Sequence, residues 1–125
     1  MPAIVCPRTL GELLKYEGPN LYSREAGTLA AGHNLTLGTV LGRKAEDRKL
    51  YPLDPAATDG TEVAVGVLAF DCDAMLMDRD DAVYIAREAI VARGALGWPK
   101  GITPAALAAA IAQLDARGIL IRDSA

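Results

Sequence analysis

A tight turn that leads into a continuous apolar run marks the best candidate for a buried strand in the sequence: Thr58-Asp59-Gly60-Thr61-Glu62-Val63-Ala64-Val65-Gly66-Val67-Leu68-Ala69-Phe70. Asp-Gly pairs readily adopt the left-handed geometry of tight turns. A short run of β-branched and small apolar residues after such a turn is typical of a buried strand. We therefore predict a turn at 58–61 and a buried strand within 63–70.

Shorter runs of the same kind precede this strand, within 28–35, 39–41 and 49–53, and turn residues separate them. Short strands with turns every 8–12 residues indicate a small barrel or clip rather than a doubly wound sheet.

Segment 81–94 is ambiguous. Asp80 or Asp81 could cap a helix that ends at Gly94, whereas the apolar residues also alternate as in a strand. Local signals alone slightly favour the helix.

The carboxyl-terminal part predicts one α-helix over about 103–117. Thr103 is a good N-cap, Pro104 suits the first helical position, and Gly118 suits a left-handed C-cap. The larger apolar residues recur at helical spacing: Leu107, Ile111 and Leu114. A short strand, Ile119–Arg122, follows the helix.

Residues 1–27 show no lasting periodicity. They mix positive and negative charges and are interrupted by Pro7 and Gly18-Pro19-Asn20. We predict an extended N-terminal arm over 1–27, followed by a β-rich domain over 28–125. The predicted fold class is mainly β with one C-terminal α-helix, arranged as a small β-clip-like barrel with that arm.

The composition limits the class of protein. A chain of 125 residues forms one domain. With 13 positive and 16 negative residues its net charge is −3, which argues against nucleic-acid binding through phosphate neutralisation. The hydrophobic share is 51%, but 23 of the residues are alanine and large apolar side chains are few. We expect such a thin core to be supplemented by oligomerisation.

The cysteines and the apolar runs of the sequence indicate the kind of cellular environment to expect. Cys6 and Cys72 lie far apart without a partner at metal-motif spacing, and two cysteines are too few for a disulfide scaffold, so we interpret both as small hydrophobic residues. The first residues lack the basic region of a signal peptide, and no apolar run approaches the roughly 18 residues of a membrane span. We expect a soluble protein that starts in the cytoplasm, with no membrane partner.

An acidic segment, Asp71–Asp81, contains five aspartates against one arginine. A calcium loop would need alternating ligands, a glycine at the bend and a terminal glutamate. Here Ala74-Met75-Leu76-Met77 interrupts the acids. A solvated loop between two strands is the favoured interpretation, and a small ligand- or metal-binding β domain remains the alternative function.

His33 is the only histidine, so a Ser-His-Asp or Cys-His device would have to use it. It lies in a turn-like Gly-His-Asn segment, which favours an exposed histidine over a hydrolase that pairs His33 with Cys72 or a serine. Trp98-Pro99 is a second candidate, because a tryptophan in a loop either fills the core or anchors an interface. We predict no enzyme and no cofactor.

Several short motifs follow one another along the chain. The first half contains Ser23-Arg24-Glu25, Thr28-Leu29-Ala30-Ala31-Gly32, Gly38-Thr39-Val40-Leu41-Gly42, and Ala57-Thr58-Asp59-Gly60-Thr61 ahead of Val65-Gly66-Val67-Leu68. The second half contains Ala82-Val83-Tyr84, Ala95-Leu96-Gly97-Trp98-Pro99, the alanine-rich helix and Gly118-Ile119. From about Leu10 to Arg122 this order resembles the head decoration proteins of lambda-type tailed phages. The helix and the Gly-Ile strand are closer to the bacterial-phage and prophage branch, and the N-terminal arm differs from that of lambda's own protein.

The resemblance implies a clip-like β fold in which 82–93 forms strands, and we adopt this because strand pairing can override capping signals. It implies homotrimers at three-fold positions on the outside of an expanded capsid, stabilising the shell against packaged DNA. The implied partner is the major capsid protein, to which the N-terminal arm adds a strand. We expect the arm's apolar residues to make the capsid contact: Leu13, Leu14, Tyr16, Leu21 and Tyr22.

The resemblance also implies a location on the outer capsid surface of the virion, after assembly in the host cytoplasm. Trp98 and Pro99 are the candidates for a subunit or capsid interface.

Overall fold

The computed structural model describes residues 10–123. Within that range lie two α-helices, α1 (Leu10–Leu13) and α2 (Pro104–Ala116), and two short 3₁₀ turns at Pro19–Leu21 and Arg93–Ala95. The strands are β1 (Leu14–Glu17), β2 (Arg24–Leu29), β3 (His33–Leu35), β4 (Val40–Arg43), β5 (Leu50–Pro52), β6 (Ala64–Leu68), β7 (Cys72–Ala74), β8 (Arg79–Ile85), β9 (Ala89–Ala92) and β10 (Ile119–Arg122). The predicted class, mainly β with one C-terminal helix, is confirmed.

Five strands in the order β2-β5-β4-β6-β8 close into a small barrel. Pairing between β2 and β5 is the least extensive in the barrel, because these two strands pair only at Leu29 and Leu50. Two further sheets lie outside the barrel. One contains β1, β9 and β10, with β9 in the centre, and the other pairs β3 with β7.

β6 is the buried strand that the sequence predicts within 63–70. All five of its residues are buried, and it pairs with β4 on one side and β8 on the other. Gly66 is required by close packing there, since an added Cβ would collide with the backbone oxygen of Ile85 and lie 2.6 Å from the Tyr84 ring. The barrel is therefore closely packed where the sequence places a glycine inside an apolar run.

Segment 81–94 forms strands, so the helical interpretation from local signals is wrong and the strands implied by the resemblance are confirmed. β8 pairs with β2 along most of its length and with β6 at its end. The Asp81 carboxylate accepts hydrogen bonds of 3.0 and 2.8 Å from Arg79 instead of capping a helix. The chain turns between β8 and β9 through Glu88, whose φ is +44°.

The prediction of an extended arm over 1–27 is wrong for residues 10–27. Leu13 is fully buried in the core, β1 pairs antiparallel with β9, and β2 is a barrel strand. The elements here are too short to give a lasting periodicity, and the antiparallel partners of β1 and β2 lie at least 50 residues further along the chain. Residues 1–9, with Cys6 and Pro7, lie outside the described part of the chain.

The predicted C-terminal helix is confirmed. The Thr103 hydroxyl accepts a 3.1 Å hydrogen bond from the Ala106 amide, and Gly118 has a φ of +79° just beyond the helix. Ala110 and Leu114 are buried, and the Gln113 side chain accepts a 2.8 Å hydrogen bond from the Ala64 amide of β6. Among residues 10–123, no helix has the length and apolar character needed to span a membrane.

Candidate functional site

Three large apolar side chains near the start of the described chain are exposed to solvent, and they lie within seven residues of one another in the sequence. Tyr16 on β1 is 54% exposed, Leu21 in the 3₁₀ turn is 58% exposed, and Tyr22 is 53% exposed. Together they define the Tyr16–Tyr22 surface. Exposed aromatic residues with a fixed backbone are typical of protein interfaces.

Leu21, whose side chain is exposed, has an energetically unfavourable backbone conformation. Its φ is +59°, in the left-handed region that a branched residue rarely occupies. Such outliers persist only where the surrounding structure over-determines them, and they concentrate at functional sites. Leu21 is therefore a candidate contact residue.

Arg87, which lies in the turn between β8 and β9, makes several contacts along one side of this surface. Its guanidinium donates 2.6 Å hydrogen bonds to the Tyr22 carbonyl and to the Glu25 carboxylate, and lies 5.1 Å from the centre of the Tyr22 ring. The hydrogen bond that Arg87 donates to Glu25 raises the pKa of Arg87, so the side chain stays charged. Its contacts fix Tyr22 against β2 and β8.

Two further contacts fix the backbone beneath the surface. Arg24 and Glu17 form a two-pronged ion pair at 2.9 and 2.8 Å, which joins β1 to β2. The fully buried Ser23 hydroxyl accepts from the Gly18 amide and donates to the Glu88 carbonyl, each at 2.7 Å. The segment is thus built as a rigid part of the domain.

β1 also offers a strand edge. It is the outer strand of the β1-β9-β10 sheet, and its second edge has no strand partner among residues 10–123. Unpaired N–H and C=O groups along such an edge can accept another strand. The edge carries Tyr16, so an apolar side chain and an open strand edge belong to one element.

The residues predicted to contact the capsid divide into two groups. Leu13 is fully buried, so its prediction as a contact residue is wrong: the side chain is a core residue. Leu14 is half-buried and packs against the same core. Tyr16, Leu21 and Tyr22 remain available for contact.

Trp98 and Pro99 are half-buried and lie apart in sequence from these residues. Trp98 packs against the main core, and both residues line a cavity of about 150 Å³ beside β4. The neighbouring Gly97 exchanges backbone hydrogen bonds with this region, accepting from Val40 at 3.1 Å and donating to Gly38 at 2.8 Å. The tryptophan therefore fills the edge of the core while part of it remains exposed.

The acidic segment does not converge on one point. Asp71 accepts from the Leu37 amide at 2.7 Å, Asp78 from the Ala31 amide at 2.8 Å, and Asp81 pairs with Arg79. Lys49 lies 2.7 Å from Asp78 and lowers the pKa of that carboxyl. Within residues 10–123, no three His, Cys, Asp or Glu side chains come together as metal ligands.

His33 and Cys72 lie on paired strands, β3 and β7. The His33 ring packs edge-on against Tyr51 with ring centres 5.6 Å apart. Cys72 is buried, and burial raises the pKa of its thiol, which opposes formation of a nucleophilic thiolate. This arrangement gives no support to the hydrolase alternative.

Two features escaped the sequence analysis. Arg87 is not among the residues that the sequence singles out, since its partners Tyr22 and Glu25 lie more than 60 residues earlier. The triplet Met75-Leu76-Met77 appeared only as an interruption of the acids, although it forms the most exposed apolar loop among the described residues. An uninterrupted apolar triplet between aspartates was the signal that could have revealed it.

A family model, bacteriophage lambda head decoration protein D, matches residues 3–119 of the chain. The chain belongs to this family. The match includes β1, the barrel and α2, and it confirms the resemblance drawn from the motif order. None of the curated proteins matches the chain.

Membership of this head decoration protein family identifies the chain as a structural protein of the bacteriophage capsid. The family implies association with the phage capsid, so the exposed surfaces of the domain are the places to look for that contact. The Tyr16–Tyr22 surface, with its open strand edge, is the candidate for such a contact.

Proposed function

We propose that this decoration protein binds as homotrimers at three-fold positions on the outside of the expanded capsid and holds the major capsid protein lattice together against the pressure of packaged DNA. The family match over residues 3–119 carries this proposal. Many copies that bind only the expanded lattice stabilise that state by mass action and multivalency.

The Tyr16–Tyr22 surface is the part of the domain proposed to rest on the major capsid protein. Its exposed tyrosines supply apolar area at a small cost in conformational entropy. Contacts from Arg87 and Ser23 already order the backbone beneath it. Binding through this surface therefore needs little rearrangement of the domain.

The N-terminal arm of the proposal is now confined to residues 1–9, which lead into α1. We propose that this segment adds a strand to the major capsid protein. Backbone hydrogen bonds between the two strands would then provide affinity. Assembly takes place in the host cytoplasm, where the expanded shell first becomes available.

The test uses expanded capsids that lack decoration protein, prepared from the phage or prophage encoding the chain, with unexpanded procapsids beside them. The full chain is expected to sediment with the expanded capsids only. A chain beginning at Leu10 should remain folded but bind at least about tenfold more weakly. A chain beginning at residue 28 could not replace the chain beginning at Leu10 in this test, because it would lack β1 and most of the barrel strand β2.

Point variants locate the contact. Leu21→Asp and Tyr16→Asp should weaken capsid binding, because each puts a charge on the Tyr16–Tyr22 surface. Val63→Asp is the matched control, since Val63 is 40% exposed and lies outside this surface. Equal binding to expanded and unexpanded shells, or unchanged binding of both surface variants, would contradict the proposal.

A further inference from the structure

A groove of about 460 Å³ lies between α2 and β10. All four residues of β10 line it, together with Ala108, Ile111, Ala112 and Asp115 on one face of α2. Asp115 and Arg122 are the charged members of this lining and have opposite signs, so the groove is apolar and close to neutral. We call it the α2–β10 groove. Its volume falls within the roughly 300–1,000 Å³ of clefts that bind apolar groups.

One wall of the α2–β10 groove is an open strand edge. β10 pairs with β9 on one side, and its second edge has no strand partner among residues 10–123. In a parallel pair, alternate residues direct their N–H and C=O groups away from the partner strand, so an edge strand can accept a further strand. Ala108 and Ala112 on the opposite wall are small and exposed, which leaves room for larger side chains. The groove therefore suits an extended apolar segment.

The chain contains such a segment ahead of the described residues. Residues 3–6, Ala3-Ile4-Val5-Cys6, carry no charge, and the β-branched Ile4 and Val5 favour a strand. Pro2 and Pro7 flank this run, and proline cannot donate to a strand ladder, which limits a strand here to these four residues. β10 also has four residues. The run thus matches the open edge in both length and polarity.

The described chain begins close enough to the α2–β10 groove for this run to reach it. α1 packs against β9 and the Arg93–Ala95 turn. β10 finishes at the same end of the sheet, since Arg122 pairs with Ala92. A strand added beyond β10 would lie two strand spacings, about 10 Å, from β9. The chain from Cys6 to Leu10 can span about 13 Å, so docking requires no change in the domain.

The open edge of β1 is a less suitable place for the same run. Lys15 and Glu17 lie on that strand, and Glu17 is held there by its ion pair with Arg24. An apolar run would bury less apolar surface beside these charged side chains than between α2 and β10. The comparison favours the α2–β10 groove.

We propose that, in the free protein, residues 3–6 pair with β10 of the same chain as an added parallel strand in the α2–β10 groove. This docking involves the free chain alone. Its consequence rests on the proposed function, because a run held in the groove is withheld from the major capsid protein. The apparent affinity for the capsid then falls in proportion to the fraction of chains that are undocked.

Hydrogen exchange of the free protein, followed by mass spectrometry, tests the docking. The amides of β10 should exchange at least about tenfold more slowly in the full chain than in a chain that begins at Leu10. Amides of the buried strand β6 are the internal control and should exchange equally in both chains. Equal exchange of the β10 amides in the two chains would overturn the inference.

Matched variants locate the contact. Ala112→Asp puts a charge in the α2–β10 groove and should abolish the protection of β10. Ala109→Asp, at an exposed position of the same helix that does not line the groove, should retain it. Ile4→Asp should behave as Ala112→Asp does, whereas Thr9→Asp should behave as Ala109→Asp does. Loss of protection in all four variants, or in none of them, would contradict docking in this groove.

A disulfide test uses the native Cys6, which the proposal places beside the end of β10. After oxidation, Arg122→Cys should give single chains in which the peptides containing Cys6 and position 122 are linked. Lys15→Cys, on the open edge of β1, is the matched control and should stay unlinked. Linkage between two chains would place the run on a second copy, and linkage in Lys15→Cys would place it along β1. Either result would overturn the inference.

Capsid binding distinguishes this inference from the proposed function. If Ala112→Asp loses the protection of β10 and binds expanded capsids more tightly than the unaltered chain, both are supported. If β10 is protected but the unaltered chain does not bind expanded capsids, the inference holds and the proposed function fails. If the chain binds capsids but β10 shows no protection, the proposed function holds and the inference fails.

Discussion

The Ser23 hydroxyl donates a 2.7 Å hydrogen bond to the carbonyl of Glu88, 65 residues further along the chain. The same oxygen accepts from the Gly18 amide, so one buried side chain joins the segment before β2 to the turn between β8 and β9. That link holds the candidate capsid surface to the barrel.

Ser23→Ala should lower the free energy of unfolding by about 1–3 kcal/mol, because it leaves a buried amide and a carbonyl without their partner. Urea unfolding followed by circular dichroism measures this. Thr58→Ala, at an exposed loop position, is the control and should change stability by less than about 0.5 kcal/mol. Equal stability of both variants would mean that the Ser23 bridge contributes nothing.

Leu13→Ala should lower the free energy of unfolding by about 2–5 kcal/mol, since Leu13 is fully buried in the main core. Leu21→Ala should leave stability within about 0.5 kcal/mol, because its side chain is exposed. The same urea experiment compares the two leucines. A small effect at Leu13 would show that residues 10–17 do not pack on the domain.

Gly66→Ala should destabilise the protein by about 1–3 kcal/mol or more, because the added methyl group meets the Ile85 carbonyl and the Tyr84 ring. Gly94→Ala is matched to it, since a Cβ at Gly94 has no neighbour within 4 Å. Thermal unfolding of both variants should separate them by several degrees. Similar midpoints would contradict the close packing of β6 against β8.

Acid should weaken the contact between Lys49 and Asp78. The pKa of Asp78 is lowered in the folded state, chiefly by its hydrogen bond with Lys49 and then by the Ala31 amide. A lowered carboxyl pKa contributes stability above the unfolded value, near 3.9, and that contribution is lost as pH falls through the folded value.

Asp78→Asn should therefore flatten the dependence of stability on pH below about 4.5, where the unfolded state begins to bind the proton. Unfolding midpoints between pH 3 and pH 7 test this, with Lys49→Met as the partner variant. Lys49→Met should flatten the profile less, because the Ala31 amide still holds the carboxylate. An unchanged slope in Asp78→Asn would refute the role of this pair.

Local sequence determined the elements whose signals lie within a few residues. The turn at 58–61 and the apolar run of β6 needed only Asp-Gly geometry and unbroken hydrophobicity. α2 was bounded by Thr103 and Gly118, because caps act on the nearest turn of a helix. The motif order added the family, which the match over 3–119 confirms.

Tertiary structure decided what depends on distant pairing. Segment 81–94 became β8 and β9 because β2, β6 and β10 supply hydrogen-bond partners that no local signal reveals. Residues 10–27 joined the domain for the same reason, through β1 with β9 and β2 with β8.

The candidate site was likewise predicted only in part from the sequence. Sequence alone selected five apolar residues, but it could not tell Leu13, which is buried, from Leu21, which is exposed on a left-handed backbone. Burial is a property of the packed domain, and the partners that fix it, Ser23 with Glu88 and Tyr22 with Arg87, are brought together only when the barrel closes.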